Sequence, residues 1–561
     1  MIDTSVQVAT RCGRRKLPVI WLVPLTALFT APAYPPLEWH WAAWVGLAPL
    51  IWLLHHARGP LWFSIAAGWG YGAVFYALRY AWLPEALLVK GGLTYPVFFG
   101  IMIAATFLFA LYPATVIAIC LWSHQRWGLS PGWSFPLLYS VQDALLGVTP
   151  FGGEPWGTLA ATQTTFRVAE WLVPLAGGSF LVLVIASVNA YWFWAAIHWP
   201  LQRSRQILLA LSGGMLAFLI SLPAQGLAPE KVTGTDSKSA FRALLVPGNL
   251  PVNRLADPHA SRETLRYFLQ RTLAAPGASY PRGGPSVGEG PTPATEPAET
   301  PAIGEDPAMG TVELTIWPES AVSGRVEKGK LLDDLHGVAA ALGSDFLFGS
   351  NARDLGRDFN SAYIVTGERF GISRYDKHNL VPFGEYVPEQ IRWFFGKKLT
   401  EGIDDYHPGT GPSVLNWRGR RLGLSICFES ILPGHVRSAV NEGADVLVAI
   451  SNDQWLTAAA AAEHLNLTAL RGMEVGRDVL VAANGGWSGH LSAGRRNGMR
   501  YGDADALRVA VIPRSSLTPW TRWGYRVLVA AFLAYVAAIY LLRQLRLFSR
   551  PYSGEYFQTD R

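Results

Sequence analysis

One cysteine stands where an α/β enzyme would place a nucleophile. Cys427 follows a largely apolar run over residues 422–426, with Glu429 two positions later and Pro433 closing the segment. The run predicts a buried strand that delivers Cys427 to its carboxyl end, the edge at which α/β proteins place reactive groups. Free cysteine is also among the most commonly buried residue types, so this pattern alone leaves Cys427 either a nucleophile or an inert core residue.

Two further strand-like segments end in a charged side chain. Residues 312–318 predict a strand that runs into a proline and then Glu319, and Lys377 follows another strand-like run. Taken separately, Glu319 is explained as an acid at a helix start and Lys377 as a solvated loop charge. Together with Cys427, however, all three lie at apolar strand exits, which favours one shared site.

Such a set of groups is suited to covalent catalysis at a carbonyl. A thiol with its ordinary pKa of about 8.5 is only slightly ionised at neutral pH, so it needs a base. Glu319 can take the proton from Cys427 and later return it to a leaving group. Lys377, with the backbone N–H after the cysteine, can stabilise the oxyanion, while Glu385 holds the lysine charged and oriented.

The composition indicates a membrane protein with a globular segment inside it. Half of the 561 residues are hydrophobic, only 16% are charged and 23 are tryptophan. We expect a transmembrane domain of about seven helices at 1–226, a catalytic domain at 227–522, a last transmembrane helix at 523–543 and a cytoplasmic tail at 544–561. Within the catalytic domain, the Pro-, Gly- and Thr-rich residues 274–310 predict a disordered insertion.

Eight apolar runs approach the ~20 residues that a helix needs to cross a bilayer. They cover 17–33, 39–55, 61–83, 95–122, 133–148, 171–197, 206–226 and 523–542. With the N-terminus in the cytoplasm, the cytoplasmic loops and the tail all carry arginine, whereas the opposite loops are poorer in Lys and Arg. The net charge of +6 therefore reflects topology and not nucleic-acid binding, and the catalytic domain is expected outside the cytoplasm.

Strand-like and helix-like runs alternate within the catalytic domain, which indicates an α/β layered fold. Among them are helix-like runs at 261–273 and 330–342 and a strand-like run at 345–350. The three cysteines, Cys12, Cys120 and Cys427, lie in a basic tail, an apolar run and this domain. None is an obvious disulfide partner for another, so we expect Cys427 to stay a free thiol even in an oxidising compartment.

Three motifs resemble the Glu–Lys–Cys signatures of the nitrilase, or carbon–nitrogen hydrolase, superfamily. They are Trp-Pro-Glu-Ser at 317–320, Tyr-Asp-Lys-His-Asn-Leu-Val-Pro-Phe-Gly-Glu-Tyr-Val-Pro at 375–388 and Ile-Cys-Phe-Glu at 426–429. The long lysine motif, with seven spans before the domain and one after it, resembles the bacterial apolipoprotein N-acyltransferases. The resemblance runs over about 31–524 and implies an α/β nitrilase-like sandwich (αββα) combined with an eight-helix transmembrane domain.

The resemblance implies a two-step acyl transfer at the bacterial inner membrane, with the catalytic domain on the periplasmic side. Cys427, deprotonated by Glu319, would take the sn-1 acyl chain of a phospholipid as a thioester. The α-amine of a diacylglyceryl-cysteine at an apolipoprotein N-terminus would then attack that thioester, and Lys377 would stabilise both oxyanions. No metal, soluble cofactor or nucleic acid is implied.

Other positions match the family pattern only in part. Glu385 matches its supporting acid, and Phe428 and Glu429 match the aromatic–acid pair after the nucleophile; Ser-Asn-Asp at 451–453 and His464 also fit. Departures at positions linked to substrate handling are Pro247, Ala256, Gln454, Leu456 and Val481. Two other functions stay open: a membrane-tethered amidase or nitrilase, in which water resolves the thioester, and a catalytically silent protein that binds lipid or lipoprotein.

Overall fold

The structure is a computed structural model of the chain. It describes residues 19–57, 60–150, 152–197, 213, 240–252, 261–275, 311–322, 324, 326, 330–368, 371–387, 405–492 and 494–544. The predicted span at 206–226 lies outside the described residues apart from Gly213, as does the predicted insertion at 274–310 apart from its first two residues. Ala256 and the predicted tail beyond residue 544 lie outside them as well.

The described part of the N-terminal domain is almost entirely helical. Its α-helices are α1 (Ala27–Thr30), α2 (Ala42–Val45), α3 (Ala48–His56), α4 (Leu61–Arg79), α5 (Tyr95–Trp127), α6 (Pro131–Leu146), α7 (Arg167–Ala176) and α8 (Gly178–Ile197). Shorter 3-10 or π-helical segments are Val19–Thr26, Ala31–Ala33, Glu85–Lys90 and Leu159–Gln163. Every predicted apolar run within the described residues is therefore helical over most of its length.

Within the described residues, three helices are long and apolar enough to cross a membrane: Leu61–Arg79, Tyr95–Trp127 and Gly178–Ala196. The apolar helices Leu22–Ala33, Ala42–His56 and Arg526–Ala537 are shorter. The total of eight spans thus stays a prediction.

Close packing requires glycine at two of the helix breaks. At Gly46, between α2 and α3, a Cβ atom would lie 2.5 Å from the carbonyl oxygen of Phe29. Gly177, between α7 and α8, has φ +85° and lies so close to the Trp520 ring that a Cβ would be 2.8 Å from it. Both positions require glycine because no side chain fits there.

Twelve strands form the globular domain within the residues that the structure describes. They are β1 (Phe241–Leu245), β2 (Leu314–Ile316), β3 (Asp345–Asp354), β4 (Arg357–Val365), β5 (Ile372–Asp376), β6 (Val414–Trp417), β7 (Arg420–Ile426), β8 (Val446–Asn452), β9 (Val479–Asn484), β10 (Trp487–Ser492), β11 (Arg495–Tyr501) and β12 (Leu507–Val511). One sheet has the order β12-β1-β2-β3-β4-β5 and the other β11-β10-β9-β8-β7-β6. Because β1, β2 and β3 are parallel, as are β7, β8 and β9, each sheet gathers several strand ends at one edge.

The remaining helices cover the two sheets and lead back to the membrane domain. They are α9 (Ser261–Leu273), α10 (Lys330–Leu342), α11 (Pro433–Asn441), α12 (Ala458–Val475), α13 (Pro519–Trp523) and α14 (Arg526–Gln544). Apolar side chains of both sheets, such as Ile316 and Ile426, form the core between them. Helices α9 and α10 pack on the outer face of the first sheet, and α11 and α12 on that of the second. The predicted αββα sandwich is therefore confirmed.

Helix α12 contacts both domains. Leu465 packs in the sandwich, whereas Leu467 and Leu470 belong to the apolar core of the membrane helices. A buried ion pair joins Glu463 of α12 to Arg79, the last residue of α4. The αββα sandwich and the helical domain thus share one tightly packed interface.

Candidate active site

Three reactive side chains come from strand ends in both sheets. Glu319 lies just beyond β2, Lys377 directly follows β5, and Cys427 directly follows β7. Cys427 has φ +54° and opens a 3-10 turn, a sharp bend that presents its side chain at the sheet edge. Glu319 is 7% exposed and Lys377 1% exposed, whereas Cys427 is half-buried. The structure brings together the three residues singled out from the sequence.

A hydrogen-bond network orients the two carboxylates and the lysine. Asn360 Nδ2, on β4, donates to Glu319 Oε1 at 2.7 Å and to Glu385 Oε1 at 2.8 Å. Lys377 Nζ lies 3.0 Å from Glu385 Oε1 and 2.9 Å from Glu385 Oε2. The backbone N–H of Asn452 donates to Glu319 Oε2 at 2.8 Å. Glu385 therefore forms an ion pair with Lys377 through both of its carboxylate oxygens.

The environment shifts the proton affinities of all three groups. Burial raises the pKa of Glu319; the Lys377 ammonium opposes this rise and Glu385 adds to it. Burial also raises the pKa of the Cys427 thiol, and the Glu319 carboxylate raises it further. Burial lowers the pKa of Lys377, but the carboxylates of Glu385 and Glu319 raise it by more, so the net shift is upward. The environment therefore favours the neutral form of the Cys427 thiol, increases the basicity of the Glu319 carboxylate and favours the charged form of Lys377.

Glu429 ties the cysteine segment to the lysine segment. Its carboxylate is completely buried and accepts hydrogen bonds of 2.8 or 2.9 Å from four donors. These donors are the Tyr375 hydroxyl and the backbone N–H groups of His378, Asn379 and Ile426. Burial raises the pKa of Glu429, but His435, Lys377 and the backbone donors lower it by more, so the net shift is downward. Glu429 is thus held as a carboxylate that fixes the cysteine segment and the lysine segment relative to each other.

Replacing Glu429 by Gln is expected to lower the free energy of unfolding by about 3 kcal/mol, because an amide N–H would face buried donors and the charge would be lost. Since the folded-state pKa lies below its ordinary value of 4.5, the carboxylate stabilises the fold above that pH, and its contribution disappears as the pH falls through the folded pKa. Denaturation of detergent-purified protein tests this, with Glu368→Gln on the exposed surface as the control. Equal stability of the two variants at neutral pH would contradict the assignment.

The aromatic residue after the nucleophile faces the membrane domain. Phe428 and Leu456 are half-buried, and both pack against the apolar core of the membrane helices. Gln454 Nε2 donates to Asn249 Oδ1 at 2.6 Å, and Val481 is buried within β9. The departures from the family pattern at 454, 456 and 481 are therefore accommodated by packing and hydrogen bonds.

Several polar residues at the site were given no role from the sequence. Asn360 bridges two carboxylates, and the N–H of Asn452 binds Glu319. Next to it, Asp453 Oδ1 lies 3.1 Å from His464 Nδ1. The signals for Asn452 and Asp453 were their position at the end of a strand and the match of Ser-Asn-Asp at 451–453 to the family pattern. Asn360 lies in mid-strand, where the sequence carries no comparable signal.

Two family models match the chain. The apolipoprotein N-acyltransferase N-terminal domain matches residues 26–191, and the carbon–nitrogen hydrolase domain matches residues 295–501. The first match covers most of the described helical domain, and the second covers Glu319, Lys377 and Cys427.

Curated relatives resemble the chain over most of its length. An apolipoprotein N-acyltransferase of Geobacter metallireducens is 28% identical over 475 residues, which are 83% of this chain and 82% of that protein. Another, of Vibrio vulnificus, is 24% identical over 545 residues, 91% of this chain and 96% of that protein. Among solved structures, a carbon–nitrogen hydrolase superfamily protein of Xanthomonas campestris aligns with a TM-score of 0.34 and 18% identity, covering 53% of this chain and 97% of that one.

Proposed function

This chain belongs to the apolipoprotein N-acyltransferase family of the carbon–nitrogen hydrolase superfamily and is an acyltransferase, and we propose that it N-acylates the N-terminal S-diacylglyceryl-cysteine of apolipoproteins. The donor is the sn-1 acyl chain of a membrane phospholipid, and the reaction is the last step of lipoprotein maturation. It takes place at the bacterial inner membrane, with the sandwich on the periplasmic side. The observation that carries the proposal is the convergence of Glu319, Lys377 and Cys427 beside the membrane helices.

The first half-reaction forms a thioester. The Glu319 carboxylate takes the proton from the Cys427 thiol, and the sulfur attacks the carbonyl carbon of the sn-1 ester. Lys377 Nζ and the backbone N–H of Phe428 stabilise the oxyanion. As the intermediate collapses, the C–O bond breaks, and the departing glycerol oxygen takes the proton from Glu319. The products are the acyl-enzyme and a lysophospholipid.

The second half-reaction moves the acyl chain to nitrogen. The lipoprotein α-amine attacks the thioester carbon, and Glu319 takes a proton from that amine. Lys377 again stabilises the oxyanion, the C–S bond breaks, and the sulfur of Cys427 recovers a proton from Glu319. An amide forms, the free thiol is regenerated and no redox change occurs.

Mass spectrometry of the intact detergent-purified protein tests this route. After incubation with phospholipid we expect one acyl mass on the wild type and none on Cys427→Ala. Hydroxylamine and a diacylated lipopeptide should each remove the adduct, the peptide gaining the acyl mass as an amide. An adduct that only water discharges would instead identify a hydrolase. A folded protein that forms no adduct with any phospholipid would exclude the thioester route and favour a binding protein.

A further inference from the structure

His464, on α12, contacts the peptide group that follows the nucleophile. Its ring is buried, and Nε2 lies 3.3 Å from the carbonyl oxygen of Cys427. The Ser430 hydroxyl donates to that same oxygen at 3.0 Å. On the other side of the ring, Nδ1 lies 3.1 Å from Asp453 Oδ1. The His464 ring therefore connects a carboxylate at the end of β8 with the backbone of the cysteine turn.

Nδ1 of His464 faces the Asp453 carboxylate, whereas Nε2 lies 3.3 Å from both the Cys427 carbonyl oxygen and the Ser430 hydroxyl oxygen. A neutral imidazole carries one N–H donor, so only the doubly protonated ring donates to Asp453 and to the Cys427 carbonyl at once. Burial lowers the pKa of His464, but Asp453, the Cys427 carbonyl and Glu319 raise it by more, so the net shift is upward. The Asp453 carboxylate and the Cys427 carbonyl oxygen thus both favour the protonated form of the His464 ring.

Contacts from the membrane domain hold the His464 ring in place. The Trp156 ring, in the loop after α6, stacks on it with 6.3 Å between centroids and an interplanar angle of 22°. The preceding residue, Glu463, forms the buried ion pair with Arg79 and accepts the backbone N–H of Gly157 at 3.1 Å. Both contacts restrict the position of this part of α12 relative to the cysteine turn.

We propose that His464 is a positioning residue that holds the peptide group between Cys427 and Phe428 and strengthens its N–H as an oxyanion donor. The carbonyl oxygen and that N–H belong to one conjugated peptide unit, so donation to the oxygen polarises the N–H. This inference rests on the proposed function, in which the Phe428 N–H stabilises both oxyanions. His464 acts in both half-reactions without touching the substrate.

Two substitutions separate this role from simple packing. In His464→Gln, the amide nitrogen can take the place of Nε2 and still donate to the Cys427 carbonyl. In His464→Asn, it can take the place of Nδ1 and donate only to Asp453. We expect His464→Asn to slow acylation and discharge of Cys427 each about tenfold, below the loss typical of removing an oxyanion donor itself. His464→Gln should stay within about threefold of the wild type.

The matched control is His490→Asn. It breaks another buried His–Asp pair of the sandwich, between His490 on β10 and Asp478, with Nε2 to Oδ2 at 2.8 Å. We expect both half-reactions to keep their rates in that variant.

Alkylation of Cys427 by iodoacetamide provides the second readout, because that substitution forms no oxyanion. The alkylation rate should change less than about twofold in both His464 variants. The pH dependence of acylation is a further readout: the ratio of the wild-type rate to the rate of His464→Gln should fall as rising pH deprotonates the His464 ring. Equal acylation losses in the Gln and Asn variants, or a parallel loss of alkylation, would overturn the proposal.

The assay keeps this inference separate from the proposed function. A p-nitrophenyl acyl ester serves as a second donor, because it can acylate the thiol without phospholipid. If the ester acylates the wild type but phospholipid does not, the proposed donor is wrong. The comparison of the Gln and Asn variants with the ester as donor still decides the role of His464.

Discussion

Replacing Cys427 by Ala should reduce acyl transfer at least about 10⁴-fold, because covalent catalysis loses its nucleophile and the remaining groups provide only binding and oxyanion stabilisation. The fold should persist, since the side chain is half-buried and Glu429 holds the cysteine segment through the backbone N–H of Ile426. Transfer from phospholipid to a diacylated lipopeptide, followed by mass spectrometry of the peptide, measures the loss.

The other described cysteine is the matched control for this variant. Cys120 is a buried thiol in α5, within the helical domain. Cys120→Ala should retain transfer within about twofold, since truncating a small core side chain affects stability and not the chemistry. Substantial transfer by Cys427→Ala, or a comparable loss in Cys120→Ala, would show that Cys427 is not the nucleophile.

Replacing Glu319 by Gln should slow Cys427 acylation at neutral pH by about 10³-fold or more, because a neutral thiol then lacks its base. The wild-type rate should rise with pH through the raised pKa of Glu319, as the carboxylate form becomes populated. The variant should be slow over that range and gain rate only at higher pH, where the thiol ionises unaided. Single-turnover acylation, measured as a function of pH, distinguishes the two profiles.

A carboxylate at the opposite end of β2 is the control for this variant. Glu313 pairs with Arg420 at 3.4 Å and lies just before the strand, whereas Glu319 lies just after it. Glu313→Gln should keep both the rate and the pH profile. A Glu319→Gln variant with an unchanged profile would assign the base to another group.

The reactive core of the site was predictable because strand ends are visible in the sequence. An apolar run that stops at one polar residue marks a sheet edge, and this holds for Glu319 and Cys427. The same strong patterning explains why the predicted helices at 261–273 and 330–342 coincide with α9 and α10. Strand β3 extends beyond the predicted 345–350 because its polar end pairs with β4 in a hairpin, where pairing and not burial determines its length.

The supporting residues of the site could not be predicted in the same way. Asn360 is a polar residue inside β4, and its two carboxylate partners lie far away in the sequence. His464 belongs to a helix whose polar residues are buried by a second domain, so their position in the helix does not indicate exposure. The number of spans also stays a prediction, because several apolar runs contain prolines or glycines and form broken helices in the structure.

Helix α12 has a consequence for how the protein tolerates mutation. In most enzymes a helix that covers a sheet keeps one face in water, and substitutions accumulate on that face. Here all residues from Glu463 to Val475 are buried, some against the second sheet and others against the membrane helices. Few substitutions in this part of the helix are therefore expected to be neutral, whichever face they lie on. Its sequence should change through compensated pairs that span both domains, so that the two domains evolve as one unit.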